Sequence, residues 1–135
     1  MHLLATEPGI IADGAAAVDL AQTPGDIVVL ASADTEIALL AAAQRLRRAT
    51  APDAPSLRLA PILRLGHNLS VDLYIETVAK ARLVVARLLG GRGYFPYGVE
   101  RLVETCRAKP AAACGAISSR ADQPTPTISC ATRRH

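Results

Sequence analysis

Apolar runs of strand length alternate with helical patterns of leucine and alanine along the first 107 residues of this 135-residue chain. A strand buried on both faces is a short apolar run, and a parallel neighbour requires a crossover connection, usually a helix. The alternation predicts strands at residues 2–6, 26–32, 57–65 and 83–88, and helices at residues 13–21, 34–48, 71–81 and 97–107. We therefore predict an α/β fold with a parallel, flavodoxin-like or Rossmann-like sheet and flanking helices.

Local signals mark the ends of these elements. Asp34 or Thr35 can cap the second helix, and Ser70 is a good N-cap for the third. Asp72 follows in the first turn, where the helix dipole favours a carboxylate. Pro61 predicts a break or bulge in the strand at residues 57–65, because proline cannot donate to a ladder.

The last 28 residues have a different composition. They contain two large aliphatic side chains, Ile117 and Ile128, and are rich in Ala, Ser, Thr, Pro and Arg. Such a segment buries too little apolar area to offset roughly 1 to 2 kcal/mol of backbone entropy per residue. We predict an incomplete N-terminal α/β domain over residues 1–107 and a disordered tail over residues 108–135. We interpret the tail as out-of-frame translation of a GC-rich gene, with an in-frame low-complexity linker as the alternative.

Charge and hydropathy limit the classes of partner. The net charge of +3 arises in the tail, because residues 1–107 hold 11 basic and 11 acidic side chains. A neutral domain predicts no nucleic-acid partner. The longest apolar run, at residues 37–43, is far shorter than the roughly 20 residues of a spanning helix. The N-terminus has no cationic region before an apolar core, so we expect no membrane association and a cytoplasmic location.

Three cysteines, Cys106, Cys114 and Cys130, show no CxxC or Cys/His spacing. Zinc sites need ligands at short, regular separations, so we predict reduced thiols and no metal site. The chain also lacks a GxxxxGK[ST] motif and a complete dinucleotide fingerprint, so the sequence does not support nucleotide binding.

A glycine-rich loop follows the last predicted strand. Three of the four aromatic residues of the chain, Tyr94, Phe95 and Tyr97, lie there. Glycine permits close backbone approach, and N–H groups between a strand end and a helix can hold an anion. An imidazole near a strand end can relay a proton or a metal ion. The predicted binding residues are Gly90, Gly91, Arg92, Gly93, Tyr94, Tyr97 and His67. The structural alternative is that the glycines make the turn, the aromatic rings pack beneath it and His67 caps a helix.

Two stretches carry a family resemblance. HNLSVDLYIETVAKARLVVARLLGGRGYFPYGVERL, at residues 67–102, resembles the N-terminal region of the aerobic cobaltochelatase large subunit, the CobN type, which is related to the magnesium chelatase large subunit. DGAAAVDLAQTPGDIVVLASADTEIALLAAA, at residues 13–43, is similar to the opening strand and helix of that family. The most specific pieces are SVDLY and LLGGRGYFPYGVE.

The resemblance implies a function in cobalamin biosynthesis. Members of the family insert cobalt into a corrin precursor, hydrogenobyrinic acid a,c-diamide, with ATP hydrolysed by AAA+ ATPase partner subunits. It therefore implies a corrin and AAA+ subunits as partners, and no cofactor bound by this chain itself. The loop arginine and glycines would contact the carboxylates of the corrin, and the tyrosines would face its ring.

The family's chains are several times longer, so we interpret this chain as a truncated copy that is inactive alone. A free-standing flavodoxin-like module for binding a small ligand or for signalling is the alternative. A pseudogene product without function is the third interpretation.

Overall fold

The computed structural model describes residues 16–108 and the backbone of two further segments, residues 113–119 and 128–130. In these described parts of the chain, five strands and three helices follow one another in the order β1 (Ile27–Ala31), α1 (Asp34–Thr50), β2 (Leu57–Pro61), α2 (Asn68–Ala79), β3 (Leu83–Leu89), α3 (Pro96–Ala108), β4 (Ala113–Ser119) and β5 (Ile128–Cys130). Short 3-10 turns cover Ile62–Leu65 and Arg92–Tyr94. None of the described helices combines the length and the apolarity needed to cross a membrane.

The strands form one sheet in the order β2-β1-β3-β4-β5. Strands β1 to β4 are parallel, and β5 is antiparallel to β4. Val29 of β1 is level with Leu59 on one side and Val85 on the other. The prediction of a parallel α/β sheet with flanking helices is confirmed. The chain first moves outward from β1 to β2 and then crosses back to β3, so the order reverses between β1 and β3.

The first predicted helix is wrong for residues 16–21, which have no regular structure. Hydrogen bonds to distant elements hold this segment and the adjoining Gln22 in an irregular conformation: the Val18 N–H donates to Ser70 Oγ (2.8 Å), and Gln22 Nε2 donates to the Leu59 carbonyl (2.8 Å). Such bonds compete with the intrahelical ladder. The remainder of that predicted helix, and the predicted strand at residues 2–6, lie outside the described residues.

Three predicted boundaries also change. β2 ends at Pro61 instead of continuing to Leu65, because proline cannot extend the ladder and the chain turns into a 3-10 helix. The N-cap of α1 is Ala33, which offers no side-chain acceptor. His67 caps α2, since its side chain accepts a hydrogen bond from the Leu69 N–H, whereas Ser70 is buried and bonds Val18.

Two segments of the predicted disordered tail are strands. Ala113–Ser119 pairs in parallel with β3, and Ile128–Cys130 pairs with β4. Backbone pairing needs no large side chain, and β3 would otherwise present an open edge. The tail prediction therefore differs from the structure in these two segments. The other residues after α3 lie outside the described residues, and the domain boundary and the out-of-frame origin stay predictions.

The hydrophobic core lies between one face of the sheet and the pair α2 and α3. Alternate strand residues such as Val28, Leu30 and Val84 pack there against Tyr74 and Leu102, and all are buried. Each fully buried aliphatic side chain contributes about 1.5 to 3 kcal/mol. The cluster contains no residue of α1. Glu36 of α1 instead pairs with Arg87, which strand alternation places on the opposite face of the sheet.

The amino ends of the strands are joined by polar contacts. Asp26 Oδ2 accepts hydrogen bonds from the N–H and the hydroxyl of Ser56 (3.0 and 3.1 Å). The backbone bond from Ser56, followed by its hydroxyl bond, lowers the pKa of Asp26. The Arg82 N–H donates to the Asp26 carbonyl (2.7 Å), so β1, β2 and β3 are connected before the sheet begins.

Gly98 is required where α3 begins to pack. A methyl group added there would overlap the ring of buried Phe95, whereas nothing lies within 4 Å of a methyl group at Gly93. We expect Gly98→Ala to lower the free energy of unfolding by about 1 to 3 kcal/mol, because a packed core tolerates extra volume poorly. Urea denaturation measures this value. Gly93→Ala is the matched control, and equal losses in the two variants would contradict the packing argument.

Tyr74 gives the fold a pH dependence at high pH. Its hydroxyl donates to Gln22 Oε1 (2.9 Å), and burial raises its pKa from 10.0 to about 12. The unfolded chain ionises first, so stability is full below pH 10 and falls as the pH rises towards about 12. We expect ultraviolet titration to show one tyrosine ionising near pH 12, and Tyr74→Phe to remove that component. Loss of a component near pH 10 instead would contradict the assignment to Tyr74.

Candidate functional site

The carboxyl ends of β1 and β3 lie side by side at the point where the strand order reverses. Ser32, directly after β1, extends the pairing: its N–H donates to the Arg87 carbonyl (3.2 Å), and its hydroxyl accepts from the Leu89 N–H (3.2 Å). In open α/β sheets, ligands bind in the crevice beyond such a switch point. The glycine-rich loop begins immediately after Leu89, so the fold brings it to this edge.

The loop owes its shape to two of its three glycines. Gly90 and Gly91 have φ values of 99° and 75°, in the region that favours glycine. The Gly91 N–H donates to the Leu88 carbonyl, and the Tyr94 N–H donates to the Gly91 carbonyl, which closes the turn. Gly93 does not share the positive φ. Gly90 and Gly91 therefore make the turn, which was the structural alternative predicted for the glycines.

The loop is also open to solvent. Gly90, Arg92, Gly93 and Tyr94 are exposed, and Gly91 is half-buried. Arg92 brings a cationic side chain to the same turn as the glycine backbone. These residues could contact a ligand without any change in the packing beneath them.

The three aromatic residues have three different environments. Phe95 is buried in the core, whereas Tyr94 is 40% exposed. Tyr97 is half-buried against the core, and its hydroxyl donates to both carboxylate oxygens of Asp72 (2.8 and 3.0 Å). The rings thus do not form a single binding face, and Tyr94 is the aromatic side chain of the loop that a ligand can reach.

Asp72 joins α2 to α3. It accepts a hydrogen bond from Arg101 Nε (3.1 Å) as well as from Tyr97, and Arg101 also pairs with Glu104 (2.7 Å). The hydrogen bond to Asp72, followed by burial, raises the pKa of Tyr97. From the sequence, Asp72 was explained by its favourable position in the first turn of a helix, and this network was not predicted. An aspartate and a tyrosine near the starts of neighbouring helices were a signal for it.

His67 lies at the same edge of the sheet but follows β2, on the other side of β1. Its Nδ1 accepts the hydrogen bond from the Leu69 N–H (3.1 Å), so this ring atom is used by the cap. No hydrogen bond links His67 to the glycine loop among the described residues. The capping role predicted as the alternative for His67 is therefore present.

An ion pair at the switch point was also missed. Arg87 Nη1 contacts Glu36 Oε1 at 2.7 Å and joins β3 to the first turn of α1. The second oxygen, Glu36 Oε2, is buried without a hydrogen-bond partner among the described residues. The signal was a lone arginine near the end of an otherwise apolar strand, since a charge there needs a partner. Arg87 is thereby neutralised, which distinguishes it from Arg92.

The described residues contain no group of three or more His, Cys, Asp or Glu side chains that could hold a metal ion. The exposed turn between β3 and α3 combines backbone N–H groups, a guanidinium and an aromatic ring. That arrangement suits a flat, anionic molecule.

Tyr97 offers a test of the α2–α3 contact. We expect Tyr97→Phe to lower the free energy of unfolding by about 0.5 to 1.5 kcal/mol, because the ring stays in place and its hydrogen bond to Asp72 is lost. Chemical denaturation measures the change, with Tyr94→Phe as the exposed control. The loss should disappear when Tyr97→Phe is made in an Asp72→Ala background, which removes the acceptor, and a fully additive loss would contradict the pairing.

The chain is similar to two curated proteins. It is 48% identical over 103 residues to aerobic cobaltochelatase subunit CobN of Sinorhizobium sp, and 49% identical over 104 residues to aerobic cobaltochelatase subunit CobN of Pseudomonas aeruginosa. Each alignment covers 76% of this chain and 8% of the relative. Neither a protein-family model nor a solved structure matches the chain.

The similarity covers three quarters of the chain but a small part of each relative, so it concerns a segment of those proteins. The resemblance predicted from SVDLY and LLGGRGYFPYGVE is confirmed. The chain therefore matches a fragment of the aerobic cobaltochelatase subunit CobN.

Proposed function

We propose that this chain corresponds to a framework segment of an aerobic cobaltochelatase large subunit, and that its exposed loop binds the carboxylates of a corrin precursor. The similarity to two CobN subunits carries the first part of the proposal. The position of the loop, at the switch point of the sheet, supports the second. The cobaltochelatase reaction, its corrin substrate and its partners belong to the longer relatives, of which the chain spans 8%.

The chemistry of the loop suits the substrate class. Hydrogenobyrinic acid a,c-diamide carries several carboxylates around a flat macrocycle. Arg92 offers a charge-assisted hydrogen bond to a carboxylate, and the loop N–H groups that do not close the turn would add neutral donors. The exposed ring of Tyr94 offers a face to the macrocycle. Tyr97 positions α3 beneath the loop through Asp72, and His67 holds the start of α2.

We further propose that the chain alone does not insert cobalt. Metal insertion requires enclosure of the macrocycle, delivery of the ion and removal of pyrrolic protons. The described residues offer an anchoring surface and one imidazole at the carboxyl edge, His67, whose Nδ1 is engaged in a helix cap. The ATP-hydrolysing step would belong to AAA+ partner subunits, and the cytoplasm would be the site of the reaction.

Corrin binding tests the proposal directly. We expect the chain to bind hydrogenobyrinic acid a,c-diamide in equilibrium dialysis, and Arg92→Ala to weaken binding by roughly 10- to 150-fold, the equivalent of one charge-assisted hydrogen bond. Arg82→Ala is the matched control, because Arg82 is exposed at the opposite end of β3. Absence of binding, or equal binding by Arg92→Ala and the wild type, would overturn the assignment of the loop.

The same assay distinguishes the alternative of a free-standing small-ligand module. The exposed glycine turn and Arg92 would also suit a small phosphate-bearing anion. Binding of a nucleotide or inorganic phosphate, with no binding of the corrin, would favour that module.

A further inference from the structure

Two of the three cysteines are register partners in the sheet. The antiparallel pairing of β4 with β5 contains three residue pairs, which are Cys114 with Cys130, Gly115 with Ser129 and Ala116 with Ile128. The two cysteines are 16 positions apart along the chain, and this separation belongs to no recognisable motif. The fold therefore brings together two cysteines that the sequence alone does not relate to each other.

The backbone separation of opposed residues suits a disulfide bond. Residues directly opposite each other on antiparallel strands have Cα atoms about 4.5 or 5.5 Å apart, depending on whether the pair exchanges hydrogen bonds. A disulfide bond spans Cα separations of about 4.4 to 6.8 Å, so both kinds of pair lie within its range. A bond between Cys114 and Cys130 therefore requires no change in the strand register.

The relation depends on the exact register. Successive residues of a strand alternate between the two faces of the sheet, so a slip of one residue moves a side chain to the other face. Ser129, which precedes Cys130, is level with Gly115 instead of Cys114. The opposed position of the two cysteines is thus a property of the folded sheet, and a chain without this pairing would not distinguish position 129 from position 130.

The third cysteine has a different environment. Cys106 lies on α3, is 3% exposed and belongs to the hydrophobic core. Access and thiolate character control the rate of thiol–disulfide exchange, and burial opposes both. Cys106 is therefore an internal reference for an oxidation experiment on the other two cysteines.

We propose that Cys114 and Cys130 form a reversible disulfide bond that ties β5 to β4. The oxidant is a small-molecule disulfide such as oxidised glutathione. One cysteine thiolate attacks it, releases one glutathione and leaves a mixed disulfide. The second cysteine then attacks the sulfur of the first and releases the second glutathione. Two protein thiols are oxidised to one disulfide, and the glutathione disulfide is reduced to two thiols, which take up the two protons.

The bond changes how this part of the sheet is held. β5 is three residues long, so few backbone hydrogen bonds connect it to β4 when both cysteines are reduced. A cross-link also restricts the unfolded chain between the two cysteines, which favours the paired state. In a reducing compartment such bonds are transient and follow the redox state. Oxidation would therefore fix β5 on β4, and reduction would leave it held by backbone pairing alone.

Peptide mapping of the full 135-residue chain tests the proposal. Trypsin cleavage after Arg107 and Arg120 places each cysteine on its own peptide. The chain is equilibrated with glutathione buffers at low concentration, alkylated in urea, digested and analysed by mass spectrometry. We expect residues 108–120 to be joined to residues 121–133, and residues 102–107 to be alkylated. Dithiothreitol should separate the joined peptides.

A register variant is the matched control. Ser129→Cys together with Cys130→Ser keeps three cysteines and moves one of them by a single position, opposite Gly115. We expect its equilibrium constant for bond formation to be roughly tenfold lower than that of the wild type, or less, because well-oriented groups have a much larger effective concentration. In concentrated urea, which removes the strand pairing, the two chains should have equal constants.

Three results would overturn the proposal. They are equal constants for the wild type and the register variant without urea, a bond to Cys106 in place of the pair, and mixed glutathione disulfides with no bond within the chain. Corrin binding by the glycine loop is a separate measurement, because Cys114 and Cys130 lie outside that loop.

Discussion

The parallel pairing of β1 on both of its edges is the contact on which the rest of this structure depends. β2 and β3 meet β1 in register, so both crossover helices start from the same end of the sheet. This arrangement brings Ser32, the ion pair of Arg87 with Glu36 and the glycine loop to one place. The position of the candidate site thus follows from the strand order.

The sequence predicted most of the described elements, because the apolar runs and the leucine-rich helix are local signals. β1, α1, α2, β3 and α3 differ from their predicted ranges by a few residues at the ends. These local sequence signals did not predict the conformation of segments that is determined by contacts with distant residues. Residues 16–21 have a composition compatible with a helix, but the bond from Val18 to Ser70 and the bond from the adjoining Gln22 to β2 hold the chain in an irregular conformation. The two tail strands depend on the open edge of β3, which composition does not reveal.

The location of the candidate site was predictable from the sequence, but the environments of its individual side chains were not. Gly90 and Gly91 have the backbone conformations that glycine favours, and Arg92 and Tyr94 are exposed as a binding role requires. Sequence spacing could not separate Tyr94 from Phe95 and Tyr97, because three aromatic residues in a turn face three directions. Nor could it reveal that His67 caps α2, since the cap depends on the exact residue at which the helix begins.

The separation of β1 and β3 along the chain also affects how the domain forms during translation. Ser32 and Leu89 are hydrogen-bonded although 57 positions separate them. At a synthesis rate of about 5 to 20 residues per second, β3 is completed about 3 to 11 seconds after β1, and one edge of β1 stays unpaired for that time. During that interval the ribosome-bound chain presents an apolar strand with one unpaired edge, which could pair with another strand. The position of β1 between β2 and β3, which organises the finished sheet, therefore leaves its second edge unpaired until β3 has been made.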